Sequence, residues 1–174
     1  MHEHRYAPYY CEENVWWLAQ EPRFAGLRSE AVIVSNDQRS VAVSCQRASV
    51  AGEPVVWDYH VVLAVHGAQG VEVWDLDCTR GAPLAASAWI DASFDERAPF
   101  RFAPRFRLVA KDSFVATFAS DRRHMRRPDG SWQAPPPPWP IIGDGAHELE
   151  RFVDVRDTTW GAVMDLAGVR AHWR

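Results

Sequence analysis

The stretch WDYHVVLAVHGAQGVEVWDLD, residues 57–77, decides how the chain folds. Two runs rich in β-branched and aromatic residues, 53–67 and 71–77, flank HGAQG, and glycines between two such runs are the signature of a hairpin. Gly67-Ala68 fits a two-residue type II′ turn with glycine first. That turn pairs His66 with Gln69 and, stepping outward, sets His60 opposite Asp75. A four-residue loop over 66–69 keeps the same register. Moving the turn to Ala68-Gln69 sets Asp77 opposite His60 instead, and a three-residue loop sets Leu76 there. In two of these three registers a carboxylate lies across from an imidazole at cross-strand contact distance.

Upstream, YYCEENVWWLAQ (9–20) places Val15, Leu18 and Ala19 at helical spacing, the pattern of a short amphipathic helix. Cys11 then stands at the helix start, where free backbone N–H groups favour a thiolate. Glu12 and Glu13 fall in the first turn, where they complement the macrodipole but oppose a negative sulfur. A thiol at a helix start, with a histidine facing an aspartate, is the residue set of a Cys–His–Asp triad. There the carboxylate orients the ring and stabilises the imidazolium that pairs with a thiolate. At this point two plain alternatives stay open: a hydrogen-bonded core histidine in an apolar strand, and a cysteine serving as a small buried hydrophobe.

The rest of the chain alternates between strands and short helices. EAVIVSN (30–36) and RSVAVSCQ (39–46) are expected to form two strands around a polar Asn-Asp-Gln turn, and RFRLVA (105–110) another strand. Asp112 is placed to cap a helix over SFVATFAS. RRPDGSWQAPPPPWP (126–140) is a turn followed by polyproline-like chain, with a partner domain that reads proline as an alternative use. HELERFVDV (147–155) is expected to be helical, WGAVMDL (160–166) to form a last strand and AGVRAHW a short helix. These elements indicate an α+β fold with an antiparallel-rich sheet, formed by residues 1–174 as a single domain.

Composition narrows the function. The chain is 47% hydrophobic with nine tryptophans, which excludes disorder. A net charge of −4 argues against nucleic acid as a partner, and the basic run at 122–127 is short enough to be a solvated loop. No apolar run approaches the roughly 20 residues of a membrane span, and no targeting segment is evident. Cys11, Cys45 and Cys78 are an odd count at unrelated spacings, neither a disulfide framework nor a zinc motif, which suits a reducing cytoplasm. His2 and His4 are expected to lie in a frayed tail rather than to hold a metal ion.

The segments YCEENVW, VVWDYHVVL, VWDLD, FASDRRHM, APPPPWP and WGAV, in this order, closely resemble the protein N-terminal glutamine amidohydrolase family, over about residues 9 to 164. The resemblance implies a papain- or transglutaminase-like α/β sandwich, a cofactor-free enzyme and polypeptide substrates that begin with glutamine; a monomer is expected. By motif, Cys11 matches the nucleophile, His60 the general base and acid, and Asp75 the orienting carboxylate. Tyr9 stands where family members commonly have a cysteine, and Trp17 where they often have lysine; neither change touches the triad. Eukaryotic members feed the arginylation branch of N-terminus-dependent protein degradation.

Such a reaction is an acyl transfer through a Cys11 thioester, with the Cys11 backbone N–H as one oxyanion donor and the Trp57 indole or the Asn36 side chain as the second. Selecting a terminal glutamine requires an acceptor for the α-ammonium group: Glu13 is the first choice, with Glu12 and Asp58 as alternatives. Ser120, Asp121 and Arg122 are expected to hold the cleft, to contact substrate backbone or to serve loop structure alone. A transglutaminase-like acyltransferase, a peptidase and a non-catalytic N-terminus-binding module are the rival readings.

Overall fold

The structure, a computed structural model, describes residues 4–174. The hairpin forms from β4 (His60–Gly67) and β5 (Gly70–Trp74), with Gly67 paired to Gly70 and Leu63 to Trp74. The turn is therefore Ala68-Gln69, two residues out of step with the expected Gly67-Ala68 register. Neither turn residue has a positive φ; the left-handed conformation a tight hairpin needs falls on Gly70, at φ 118°.

The expected single strand over 53–67 is two strands. β3 (Val55–Trp57) ends at Asp58, whose carbonyl accepts from the Ser35 hydroxyl at 2.6 Å and whose side chain accepts from the Tyr59 N–H at 3.0 Å. β3 pairs with β2 (Val41–Val43) in a separate two-stranded sheet. β1 (Ser29–Ser35) does not pair with β2 across the Asn-Asp-Gln turn; it lies between β4 and β7 (Arg105–Ala110). Asn36 instead ties that turn to a distant loop, its amide donating to the carbonyls of Ser40, Arg101 and Ala103.

With β6 (Leu84–Ala85) and β8 (Ala162–Met164) the main sheet has six strands in the order β6-β5-β4-β1-β7-β8, every neighbouring pair antiparallel. Alternation sorts the side chains. Ala31, Ile33, Val61, Leu63 and Val109 face a core shared with α1 (Cys11–Leu18), α3 (Lys111–Thr117) and α4 (Leu149–Val153). Val32, Val34, Val62, Ala64 and Leu108 face the core under α2 (Ala86–Ser93) and α5 (Leu166–His172). Helices thus cover both faces of a mostly antiparallel sheet.

Local details depart from the sequence pattern where the chain is committed elsewhere. β7 runs directly into α3, so Ala110 takes the N-cap position and Asp112 sits in the first turn without capping. α2, unanticipated, is anchored by fully buried Trp89 and Ile90. His4 is no part of a frayed tail: it pairs with Glu21 at 2.8 Å and meets Trp74 edge-on, while His2 lies outside the described residues. All three cysteines are free thiols. Among the described residues no helix is long and apolar enough to cross a membrane.

The end of α4 and the irregular segment 154–161 are held from the sheet. Arg107, fully buried on β7, donates to the carbonyls of Phe152, Asp154, Asp157 and Trp160, so a cation takes up carbonyls that no strand partners. Gly161 then passes at φ 76° so close that an added Cβ would stand 2.0 Å from the Leu108 carbonyl oxygen. Gly130 has a similar φ of 83° but open space around it. Gly130→Ala should therefore cost only the backbone strain, about 1–2 kcal/mol, and Gly161→Ala more than about 3 kcal/mol through the added clash. Denaturant unfolding of the two variants checks this ordering; equal losses would contradict the close approach.

Candidate active site

The segment before α1 is locked in place by side chains. Asn14 brackets Ala7, accepting from its N–H at 2.8 Å and donating to its carbonyl at 2.9 Å. Tyr10, wholly buried, donates its hydroxyl to the Ala134 carbonyl at 3.2 Å. Tyr9 takes a left-handed φ of 68°, leaving its ring half exposed against Trp57. Cys11 follows as the first residue of α1, so its N–H has no partner within the helix.

His60 opens β4, and its Nε2 lies 2.9 Å from Asp75 Oδ1, both side chains 1% exposed. In the observed register Asp77, not Asp75, is the straight extension opposite His60. Asp75 is the diagonal neighbour on the same face. β5 stops at Trp74, and the Cys78 N–H closes a turn on the Asp75 carbonyl at 3.1 Å. Gln46 Nε2 and Trp89 Nε1 each donate to Asp75 Oδ2 at 3.1 Å, and the Asp77 N–H donates to Oδ1 at 3.0 Å. His60, Asp75 and Asp77 cluster tightly enough to suggest a metal site. Asp75, however, already accepts from these three donors and the imidazole, so its lone pairs hold a ring in place rather than an ion.

These neighbours set the ionisation of the pair. Burial opposes a charged His60, but Asp75, then Asp77 and Glu12, outweigh it and raise the imidazole pKa above its ordinary value. Burial likewise acts to raise the Asp75 pKa, yet His60, Trp89 and Gln46 hold it below the usual carboxylate range. Burial, reinforced by Glu12, Asp77 and Asp58, pushes the Cys11 thiol well up, against the opposing Val61 N–H. The side-chain hydrogen bond of Cys11 runs to Glu12 Oε2 at 3.7 Å.

A cavity of about 370 Å³ opens over this pair, its lining including Cys11, Trp57, Asp58, His60, Asp77 and His124. Trp57 stacks on the His60 ring at 6.1 Å and 14°, with its indole N–H buried and unpartnered. Asp58 is exposed in the cavity, and among the described residues its carboxylate accepts only the short-range bond from the Tyr59 N–H.

Several expected substrate contacts have other occupations. Glu13 is wholly buried: Arg122 grips it with two bonds of 2.8 Å and the Trp139 indole with one of 2.7 Å, so no oxygen is left for a ligand. Glu12 is also buried, accepting from the Tyr59 hydroxyl at 3.0 Å, with its other oxygen 3.3 Å from His124 Nε2. Asn36 is spent on its loop and lies outside the cavity. Ser120, completely buried, accepts from the Arg122 N–H; Asp121 is bound by Arg123, whose hydrogen bond and charge bring its pKa down to about 2. Neither lines the cavity. Arg122 itself, expected in a solvated loop, is buried and also donates to the Trp139 and Pro140 carbonyls, pinning the proline strap. Gln46 and Trp89, which seat Asp75, and His124 at the cavity wall carry no local sequence signal.

Comparison with known proteins gives this constellation its context. The pattern of the N-terminal glutamine amidase family matches residues 6–172. Among proteins named Protein N-terminal glutamine amidohydrolase, that of Homo sapiens is 35% identical over 173 residues, covering 93% of this chain and 84% of its own. The Arabidopsis thaliana protein is 38% identical over 167 residues, covering 86% and 74%. The Drosophila grimshawi protein is 39% identical over 161 residues, covering 85% and 77%. With a family pattern that spans residues 6–172 and relatives 35–39% identical over most of the chain, the chain belongs to the N-terminal glutamine amidase family.

Proposed function

We propose that this chain hydrolyses the side-chain amide of an N-terminal glutamine in polypeptides, releasing ammonia and leaving glutamate. The observation that carries the reading is one cavity lined by a helix-start thiol, a carboxylate-held imidazole and an exposed acceptor for an ammonium group. The Cys11 sulfur loses its proton to His60 and attacks the carboxamide carbon. The Cys11 N–H and the unpartnered Trp57 indole N–H receive the developing oxyanion; one such donor is worth about 3–4 kcal/mol of barrier. His60 returns the proton to the departing ammonia, leaving a thioester, then takes one from water, which attacks to free the new carboxylate and the thiol. A nucleophile at a helix start, packed on an antiparallel sheet that carries the histidine, supports a papain- or transglutaminase-like architecture in one catalytic domain. Three free thiols suit a cytoplasmic setting.

Asp58 replaces Glu13 as the acceptor for the α-ammonium, since it is exposed in the cavity whereas Glu13 is consumed by Arg122. With the ammonium anchored there, asparagine leaves its carbonyl one methylene short of the sulfur. Mass spectrometry of peptides differing only in having Gln first, Asn first or Gln second tests both points. A deamidation shift confined to the Gln-first peptide and absent with Cys11→Ala is the expected result; comparable rates for Gln and Asn would refute the anchor, and no turnover would favour a binding module. Asp58→Asn should lower kcat/KM for the Gln-first peptide by roughly 10- to 150-fold, the worth of a charge-assisted hydrogen bond of about 1.5–3 kcal/mol.

The pH profile follows from the charges. At low pH both Cys11 and His60 hold protons, and one must leave before sulfur can attack. Since both pKa values are raised, the acid limb of kcat/KM should lie above the ordinary histidine value of about 6.5. Asp77→Asn removes a charge that raises both, so it should move the limb to lower pH with only a mild change in the plateau. Asp75→Asn, which disturbs ring orientation and proton placement, should drop kcat on the order of 10³–10⁴-fold. A severe effect at Asp77 with a mild one at Asp75 would reverse the assignment.

A further inference from the structure

At the other end of β4 from His60, three elements bring two imidazoles and a carboxylate together. Glu30 of β1 pairs with Ala64, and the His66 N–H binds the Arg28 carbonyl at 2.9 Å, so His66 is the diagonal neighbour of Glu30 on one face. α5 packs on that same face through Val169 and Trp173 and delivers His172 from its last turn. His66 Nε2 lies 3.0 Å from Glu30 Oε2, His172 Nε2 lies 3.3 Å from Glu30 Oε1, and all three ligand atoms fall within 4.8 Å of one another.

We propose that Glu30, His66 and His172 form a binding site for a zinc-type divalent transition-metal ion, with water in the remaining position. Two imidazole nitrogens and one carboxylate oxygen suit zinc, whereas calcium and magnesium demand oxygen ligands. A tetrahedral ion with bonds of about 2.0–2.1 Å sets its ligand atoms about 3.3–3.4 Å apart. The two nitrogen–oxygen spacings are close to that edge length but fall on different oxygens of Glu30, so binding draws both rings toward one oxygen, from a starting point where the three ligand atoms already lie within 4.8 Å of one another. Each ring offers an Nε2 lone pair once its proton sits on Nδ1.

The surroundings fit the same use. The Trp173 indole donates to Glu30 Oε2 at 3.4 Å, an outer contact that orients the carboxylate. Arg28 Nη2 stands 3.4 Å from Oε1 and is the competing cation; its side chain is 65% exposed and free to swing into solvent. Glu30, His66 and His172 are partly exposed, which gives an ion a path in and leaves room for water. The bound ion clamps the C-terminal helix to β1 and β4. His66 is six residues along the strand from His60, about 20 Å, so the clamp leaves the Cys11 cavity untouched.

Titration of the full chain with Co²⁺ as a spectroscopic probe, and with Zn²⁺ by calorimetry and thermal unfolding, tests the assignment. One equivalent of Co²⁺ should give visible ligand-field bands without a near-ultraviolet sulfur charge-transfer band, and Zn²⁺ should raise the Tm. The His66→Gln/His172→Gln pair should weaken Zn²⁺ binding by more than about 10-fold and abolish the Tm rise while deamidation continues at the parent rate. Glu30→Gln, of the same shape, should also lose binding. Affinity unchanged in these variants, a thiolate charge-transfer band, or no saturable binding would overturn the proposal.

Discussion

A buried carboxylate with every lone pair engaged organises the centre of this molecule. Asp75 is 1% exposed, and charge at such depth is tolerated only when fully partnered. Its partners come from β4 (His60), from the segment after β2 (Gln46), from α2 (Trp89) and from the turn that it starts (Asp77). One side chain therefore binds the main sheet, the chain leaving the small sheet and a helix on the far face, while fixing the ring that faces the cavity. Loss of any donor would leave an unmet charge in the interior, so the hold on His60 and the packing of α2 are energetically coupled.

Cys11, the proposed nucleophile, sits in a field that resists its ionisation. Glu12, Asp77 and Asp58 all raise the Cys11 pKa on top of burial, whereas Glu13, two residues along α1, is paired with Arg122. The arrangement fits a reaction in which a cationic group enters with the substrate. An α-ammonium at Asp58 would cancel part of the opposing field when the thiolate is needed, and the idle thiol would stay protonated and less prone to side reactions. Glu13 has a different part in the same scheme: through Arg122 it fastens the 134–140 strap to α1.

The hairpin shows how sequence reading and structure diverge without losing the site. Taking Gly67 as the first turn residue puts the register out by two, because the positive φ belongs to Gly70. A slip of two preserves which face every side chain occupies, so His60, Asp75 and Asp77 remain neighbours; a slip of one would have sent both aspartates to the opposite core. The break at Asp58-Tyr59 was hidden for a related reason. Apolar and β-branched residues run through it without interruption, and only the Ser35 hydroxyl on the Asp58 carbonyl and the separate pairing of β3 reveal it.

The sequence alone determined what local pattern and short motifs encode: the helix starting at Cys11, the strand at 105–110, extended chain over 53–67 though not its division into two strands, the pairing of an imidazole with a carboxylate across a hairpin, and the family. Periodicity and side-chain identity act over a few residues, and those features need nothing more. Only the tertiary structure decided what each acidic group does. Glu12, Glu13, Asp58 and Asp121 are chemically alike on paper; Arg122 arriving from 109 residues away consumes Glu13, while Asp58 is left open to the cavity. The same holds for Glu30, His66 and His172, which meet only because antiparallel register and the docking of α5 bring residues 36 and 142 positions apart onto one face. Long-range partners decide whether a charge is neutralised, buried or free, and no local pattern carries that information.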